Sequence, residues 1–122
     1  MTMDLQLLTS YCLSKKGSLE DYPFGDDVLV IKVGSKMFAL ISNQNNHLKI
    51  SLKCDPFMAE SLRQQYASIT PGYHLNKNHW NTILIDGTLS ELELCKMIDH
   101  SYELVFKGLR KSEKEAINQS II

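Results

Sequence analysis

The sequence has little of several features that would mark a specialised class of protein. It holds six glycines and three prolines among 122 residues, which excludes collagen-like, low-complexity and disordered classes. Its formal net charge is only -1, because 13 Lys and Arg oppose 14 Asp and Glu. No field of the whole molecule therefore draws it to nucleic acid or to an anionic membrane, and any basic function must be local.

Segments that direct a chain to a membrane are also lacking. No stretch approaches the ~18 apolar residues of a membrane span, and the first basic residue, Lys15, follows a mixed apolar segment, unlike a signal peptide. The three cysteines, Cys12, Cys54 and Cys95, form no CxxC pair, which indicates reduced thiols rather than a disulfide framework or a zinc site. We expect a cytoplasmic protein with no membrane association.

What is present is the composition of one ordinary folded domain. With 43% apolar and 22% charged residues, the chain can bury a real core but cannot hold a scaffold plus a separate catalytic module. We place a single domain at 1–111 and a polar C-terminal tail at 112–122. The motif G-x-G-x-x-G and the P-loop motif are absent, as is the βαβα alternation of a nucleotide-binding fold.

Apolar residues at three-and-four spacing predict three helices, over residues 3–16, 56–69 and 90–109. The second helix begins with Asp55 as N-cap and Pro56 at its first position. The third begins with a capping box, since Ser90 is followed three residues later by Glu93. These start signals are local and independent of the rest of the chain.

β-branched runs and alternation of apolar with polar residues predict strands over 28–33, 36–41, 47–53, 73–76 and 80–85. The acid-rich segment 18–27 and the polar segment 42–46 are predicted loops. In the third strand the alternation leaves His47, Lys49 and Lys53 facing water. The order α-β-β-β-α-β-β-α predicts a two-layer α+β domain, with one antiparallel sheet and the helices on one face.

Several short motifs occur in the same order as in a family of small bacterial proteins. They are Tyr22-Pro23-Phe24-Gly25, Lys36-Met37-Phe38-Ala39, Lys53-Cys54-Asp55-Pro56, Leu62-Arg63-Gln64-Gln65-Tyr66, the string from Pro71 to Asn81, and Ser101-Tyr102-Glu103-Leu104-Val105. Through these motifs the chain resembles the MmcQ/YjbR family from about Leu5 to Leu109. Cys54 within the Lys-x-Asp-Pro segment is a mild departure, and the residues past Leu109 match no pattern of the family.

The resemblance implies a YjbR-like fold of the α-β3-α-β2-α kind, which agrees with the order of predicted elements. It also implies DNA binding, which is ascribed to the family largely because the fold looks like a double-wing arrangement. The same two-layer fold is similar to that of secretion chaperones, which bind unfolded segments of partner proteins. Fold by itself does not determine function, so the residues must be weighed separately.

The central part of the chain carries the charge that a DNA-binding surface needs. Residues 47–81 hold four Lys and Arg against two acids, whereas both flanking segments are net negative. The site residues that we expect are Lys49, Lys53, Arg63, His74, Lys77, His79 and Trp80. Four cations support only weak, largely non-specific binding, because affinity for DNA depends on the number of phosphates neutralised. The alternative is that these are solvated surface lysines without a ligand.

No catalytic constellation can be assembled from the sequence. His74 and His79 are five residues apart, so only a tight loop would let both hold a metal; otherwise His74 has a structural role and Trp80 anchors the loop. Cys54 precedes a helix N-terminus, which lowers a thiol pKa, but the neighbouring Asp55 opposes that effect. No serine lies in a nucleophile-elbow motif. We expect no enzyme, no metal and no cofactor.

Two functions are compatible with these observations. The first is a weak, largely non-specific DNA-binding or otherwise regulatory protein of this family. The second is a protein-interaction module without nucleic-acid binding or catalysis, which suits the near-neutral charge. A contiguous patch of Lys49, Lys53, Arg63 and Lys77 would favour DNA, whereas an exposed apolar patch on the sheet or third helix would favour a protein partner. The sequence makes no prediction of oligomeric state.

Overall fold

A six-stranded sheet and four helices make up the computed structural model, which describes residues 3–72 and 75–119. In chain order the elements are α1 (Leu5–Leu13), β1 (Ser18–Asp21), β2 (Val28–Val33), β3 (Lys36–Gln44), β4 (His47–Lys53), α2 (Pro56–Gln65), β5 (Ile69–Pro71), β6 (Trp80–Leu84), α3 (Glu91–Lys107) and α4 (Lys111–Gln119). The strands lie in the order β1-β2-β3-β4-β6-β5, and all neighbours are antiparallel. The predicted α+β class, antiparallel sheet and order of elements are confirmed, and β1 and α4 are additional to the predicted elements.

The two faces of the sheet differ in chemistry, because alternate residues of a strand point to opposite sides. On one face the strand pairings align Ile41, Ile50, Ile83 and Ile69 in a row across four strands. All four isoleucines are buried, together with apolar residues of α1 and α3. Each buried isoleucine contributes about 1.5–3 kcal/mol to stability, so this row is the centre of the core beneath the helices.

A β-bulge in β3 brings two successive side chains into the core. The pairing of β2 with β3 skips Phe38, and so Phe38 and its neighbour Ala39 are both fully buried. Ser101 of α3 is also fully buried. Its hydroxyl donates to the Phe38 carbonyl oxygen at 2.6 Å and accepts the Lys53 N–H at 2.8 Å. One helix residue thereby connects α3 to both β3 and β4.

Strand β1 is a correction to the loop predicted over 18–27. Ser18–Asp21 has little intrinsic β propensity, and the sequence around it is rich in acids and turn residues. The strand forms because its backbone pairs with β2, and the Asp21 carboxylate makes an ion pair with Lys32 at 2.9 Å. Pairing with β2, rather than the local preference of these four residues, specifies this strand.

Helix α2 ends earlier than predicted. It stops at Gln65, and Tyr66 has an extended backbone with φ -128°. The predicted helical residue Ile69 lies instead in β5, where it pairs with Ile83 of β6. In the predicted strand 73–76, residues 73 and 74 lie outside the described residues, and the two residues that follow are not in a strand.

The C-terminal segment that the sequence predicts as a polar tail contains α4. Ile117 of this helix is buried, and a Cβ placed on Gly17 would lie 2.9 Å from its side chain. Gly17 also has φ +77°, so a side chain there would be both strained and crowded. Glu113 accepts the Ser35 N–H at 3.0 Å. The Lys16 ammonium also donates to the Asn118 carbonyl oxygen at 3.1 Å, so α4 packs on the domain through a buried apolar residue and hydrogen bonds at two of its residues.

We expect Ser101→Ala to lower the free energy of unfolding by about 1–3 kcal/mol, because it removes two hydrogen bonds from backbone groups beside the core. Equilibrium urea unfolding measures this change, with an unaltered m value if only the native state is affected. Ser112→Ala, at an exposed position of α4, is the matched control and should stay within about 0.5 kcal/mol of the parent protein. A similarly small change for Ser101→Ala would show that the hydroxyl does not hold α3 to the sheet.

Candidate functional site

The face of the sheet opposite the helices is uncovered and forms a groove of about 710 Å³. Leu40, Ser51, Thr82 and Thr70 pair in register across its floor. The hydroxyl oxygens of Ser51 and Thr82 lie 2.8 Å apart. None of the described residues that line the groove is acidic. The floor is therefore polar through hydroxyl groups rather than through negative charge.

Lys49 and Lys53 are the predicted site residues that β4 places on this face. Lys49 is exposed and lines the groove, and Lys53 is half-buried four residues further along the strand. Across residues 3–72 and 75–119, neither lysine takes part in an ion pair. The acid of β1 on the same face, Asp21, is already paired with Lys32. The positive charge of both site lysines is thus available to a ligand.

Arg63 does not belong to this surface. From α2, its guanidinium donates to the Asn81 Oδ1 at 2.7 Å, to the Trp80 carbonyl oxygen at 3.4 Å and to the Lys77 carbonyl oxygen. Asn81 is itself buried and donates to the Ala59 carbonyl oxygen at 3.3 Å. Arg63 fastens the chain before β6 to α2, so its donors are engaged within the fold.

Trp80 is 8% exposed and has no free ring face for stacking on a base. Gly72 packs directly against it: the Gly72 N–H donates to the Trp80 carbonyl oxygen at 2.8 Å. A Cβ at Gly72 would lie 2.7 Å from the Trp80 Cβ, a distance that real Cβ atoms do not adopt. This burial agrees with Trp80 as the anchor of the loop, which was the alternative to a contact with DNA.

The loop between Gly72 and Trp80 presents the remaining predicted residues. Lys77 and His79 are exposed, and the Lys77 ammonium donates to the Gly72 carbonyl oxygen at 3.3 Å. The His79 carbonyl oxygen accepts the Cys54 N–H at 2.8 Å, which places His79 beside the end of β4. His74 lies outside the described residues. The structure therefore brings Lys53, Lys77 and His79 to one edge of the open face.

Negative charge is concentrated at another part of the molecule. A cleft of about 660 Å³ between α1 and the first strands is lined by Asp4, Glu20, Asp26 and Asp27. A polyanion is repelled from this end, because several like charges there are exposed to solvent. The lysines of β4 and of the loop are thus the favourable approach for an anionic ligand.

The thiols show no sign of activation. Burial, with the Asp55 carboxylate as the second cause, raises the pKa of the Cys54 thiol to about 11. Burial likewise raises the pKa of the Cys12 thiol to about 12. Both thiols are protonated at neutral pH and are poor nucleophiles.

Within the described ranges, no three His, Cys, Asp or Glu residues are placed to share a metal ion. In the same part of the chain, no helix combines the length and the apolar character that crossing a bilayer requires.

Sequence reasoning missed the hydroxyl row of the groove floor. Ser51 could have been found, because alternation in β4 places it on the same face as Lys49. Thr70 and Thr82 could not, because their alignment with Ser51 depends on a strand register that no local signal reveals. Phe24, which is 62% exposed and lines the groove, comes from a segment predicted only as a loop.

The fold and these surfaces define a small two-layer α+β protein with one uncovered sheet face. The YjbR family model matches residues 13–104, and the chain belongs to the YjbR family, as its motifs predicted. The uncharacterized protein YjbR of Escherichia coli K12 is 32% identical over 117 residues, covering 96% of this chain and 99% of that protein. The uncharacterized protein YbdF of Escherichia coli O157:H7 is 38% identical over 96 residues, or 79% of each chain.

Solved structures show the same fold. A crystal structure of a Deinococcus radiodurans protein with a DUF419 domain is 41% identical, covers 98% of this chain and 91% of that chain, and has a TM-score of 0.88. A crystal structure of a Pseudomonas syringae protein is 29% identical, with 84% and 98% coverage and a TM-score of 0.73. None of these names states an activity, so they support the family and the fold and give no positive indication of catalysis.

Arg63→Lys separates a structural role of this residue from a ligand contact. Lysine keeps the positive charge but cannot reproduce the planar set of donors, so we expect the free energy of unfolding to fall by about 1–3 kcal/mol. Amide hydrogen exchange should also accelerate between residues 75 and 79. Arg110→Lys, at a side chain that is 82% exposed, is the control and should change neither quantity. Unchanged stability and exchange in Arg63→Lys would mean that the arginine does not fasten the loop.

Proposed function

We propose that the chain is a non-catalytic cytoplasmic protein that binds DNA weakly, with little sequence preference, through the open face of its sheet. The observation that carries the proposal is the pair of lysines, Lys49 and Lys53, on a face that no helix covers. Both lack an ion-pair partner among the described residues, and the neighbouring groove has no described acid. Lysine ammonium groups and hydroxyls are the usual contacts to phosphate oxygens.

The small number of available cations sets the expected affinity. With Arg63 engaged by the loop, Lys49, Lys53 and Lys77 are left to neutralise phosphates. Counterion release then gives a slope of log affinity against log salt of about -2 to -3 on duplex DNA. Binding should accordingly weaken about 16- to 64-fold between ~50 and ~200 mM salt. Such a protein binds chiefly through its contacts to phosphates.

The exposed ring of Phe24 extends the proposal to single-stranded DNA. It lies at the border of the groove and is accessible to an unpaired base, whereas Trp80 is not. Stacking on an aromatic ring tolerates any base, which agrees with low sequence preference. The acidic cleft that includes Asp26 and Asp27 opposes a long phosphate track at this end. A short single-stranded segment fits these restraints as well as a duplex does.

A protein-interaction role is the second candidate, and a separate observation favours it. Phe57, at the start of α2, is 88% exposed, and the next residue, Met58, is 46% exposed. Adjacent exposed apolar side chains are a common feature of contact sites for other proteins. If DNA does not bind, this end of α2 becomes the first surface to test against protein partners.

Fluorescence anisotropy with labelled duplex and single-stranded DNA at ~50 and ~200 mM salt tests the proposal. We expect salt-sensitive micromolar binding, and loss of at least about tenfold in affinity for the double variant Lys49→Glu with Lys77→Glu. Lys107→Glu with Lys111→Glu is the matched control, because it changes net charge equally at exposed positions of α3 and α4. Thermal unfolding verifies that each variant is folded.

Two outcomes would count against this assignment. Equal affinity of the parent and the Lys49→Glu, Lys77→Glu variant would exclude the open face as the binding surface. Absence of binding at ~50 mM salt would exclude DNA as the ligand and would favour the protein-interaction role.

A further inference from the structure

A second groove, of about 320 Å³, lies on the helix side of the sheet between α2 and α3. It exists because α2 packs on β5 and β6, whereas α3 packs on β2, β3 and β4. Leu52 and Ile83 are buried beneath it and contribute to its floor. Three of its lining residues contain sulfur: Cys54, Met58 and Met97. The groove is thus mainly apolar, and sulfur is supplied from both of its walls.

Two hydrogen bonds determine how α2 and α3 lie beside each other. Directly before α2, the Asp55 N–H donates to His100 Nε2 at 3.3 Å. Directly after α2, the Tyr66 hydroxyl donates to the Glu93 carboxylate. The start of α2 is therefore beside the middle of α3, and the end of α2 is beside the start of α3. The two helices run antiparallel along the groove.

This arrangement places the two methionines at the same level. Met58 is three residues after Asp55, and Met97 is three residues before His100. Each methionine is therefore about 4.5 Å along its helix from that hydrogen bond, and both steps lead in the same direction because the helices are antiparallel. Met97 also shares with His100 the side of α3 that faces α2, since helical residues three apart lie on one face. The two thioethers thus approach each other from opposite walls.

Cys54 supplies the third sulfur at the same end of the groove. It directly precedes Asp55, and its N–H donates to the His79 carbonyl oxygen at 2.8 Å. The alternation of β4, continued by one residue, turns the Cys54 side chain toward the helices and away from the face that carries Lys53. In agreement, Cys54 is only 6% exposed. Its thiol therefore lies at the end of the groove where Asp55 meets His100.

We propose that these three sulfur atoms bind one Cu(I) ion, with Cys54 as a thiolate and Met58 and Met97 as thioethers. Thiolate and thioether ligands select Cu(I), whereas harder ions prefer oxygen ligands. On binding, a Cu–S bond replaces the S–H bond of Cys54, and the released proton passes to water. Met58 is 46% exposed, so its flexible side chain gives the ion a path from solvent.

Charge and ligand type both favour a monovalent soft ion at this position. One thiolate neutralises the charge of Cu(I), whereas a divalent ion would leave a positive charge among apolar side chains, where burial of a charge is costly. The Glu93 carboxylate lies toward the other end of the groove, where it accepts the Tyr66 hydroxyl. Because His, Cys, Asp and Glu alone form no group of three around a metal within the described ranges, the thioethers complete the site.

Titration of the reduced protein with Cu(I) under nitrogen tests the proposal. In ¹H–¹³C NMR spectra of protein labelled at its methionine methyl groups, the signals of Met58 and Met97 should shift and saturate at one equivalent. The signals of Met3 and Met37, which lie outside the groove, should not move. Zn(II) at one equivalent should leave all four signals in place. Competition with graded concentrations of bicinchoninate, a chelator of Cu(I), measures the affinity.

Variants test the thiolate and the thioethers separately. Cys54→Ser should lower the Cu(I) affinity at least about a hundredfold, and Met97→Leu about tenfold, because leucine keeps the apolar bulk of methionine without its sulfur. Cys95→Ser and Met37→Leu remove a thiol and a thioether outside the groove, and both should keep the affinity of the parent protein. Thermal unfolding verifies that each variant is folded, and Met97→Leu keeps the test valid if Cys54→Ser is not.

Any of three results would overturn the proposal. The first is that Cu(I) shifts neither Met58 nor Met97, or that Zn(II) shifts them equally. The second is an affinity of Met97→Leu equal to that of the parent, which would exclude the thioether as a ligand. The third is a loss of affinity in Cys95→Ser that is larger than any loss in Cys54→Ser, which would place the ion between α1 and α3.

Discussion

The alternation of side chains along β4 is the constraint on which the core and the open face both depend. This strand lies between β3 and β6, with Ile50 and Leu52 buried under the helices and Lys49 and Ser51 on the other side. A register slip of one residue would turn Lys49 into the core and expose Ile50. Burying an unpaired charge costs several kcal/mol, so the slipped register is strongly disfavoured. The pairing that builds the core therefore also places cations on the uncovered face.

Arg63 holds the loop before β6 in place, although its positive charge alone would suggest that it binds a ligand. The Lys77 carbonyl group lies outside the strands and needs a donor, whereas the Trp80 carbonyl oxygen also accepts the Gly72 N–H. The guanidinium of Arg63 has several N–H groups in one plane and can reach both carbonyls and the side chain of Asn81. Because the guanidinium is engaged in this way, Arg63 is not available to bind phosphate. In return, the loop is held in one position beside the open face.

Short-range patterns in the sequence predicted the starts of α2 and α3 and the outward position of the β4 lysines, because these features depend on interactions between residues close in sequence. Asp55 accepts the Met58 N–H at 3.3 Å as the N-cap of α2, and the Glu93 N–H donates to the Ser90 hydroxyl at 3.1 Å in the capping box of α3. The alternation in β4 placed its lysines on the side away from the core. Strand β1 and the early end of α2 could not be predicted, because both result from pairing with other strands. The hydrogen bonds of Arg63 to the loop before β6 could not be predicted either, because their acceptors are distant in sequence.

The two surfaces differ in what creates them. The groove between α2 and α3 follows from the architecture: the helices rest on different strands and meet through Tyr66–Glu93 and Asp55–His100 at the two ends. Its shape therefore persists when a single wall residue changes. The open face, in contrast, is formed by the sheet with the loop residues Phe24 and Leu75 at its border, and its character comes from the side chains that alternate outward. Substitutions at an exposed position such as Lys49 change that character without disturbing the isoleucine row that holds the sheet to the helices, so the ligand preference of this face can change while the fold stays constant.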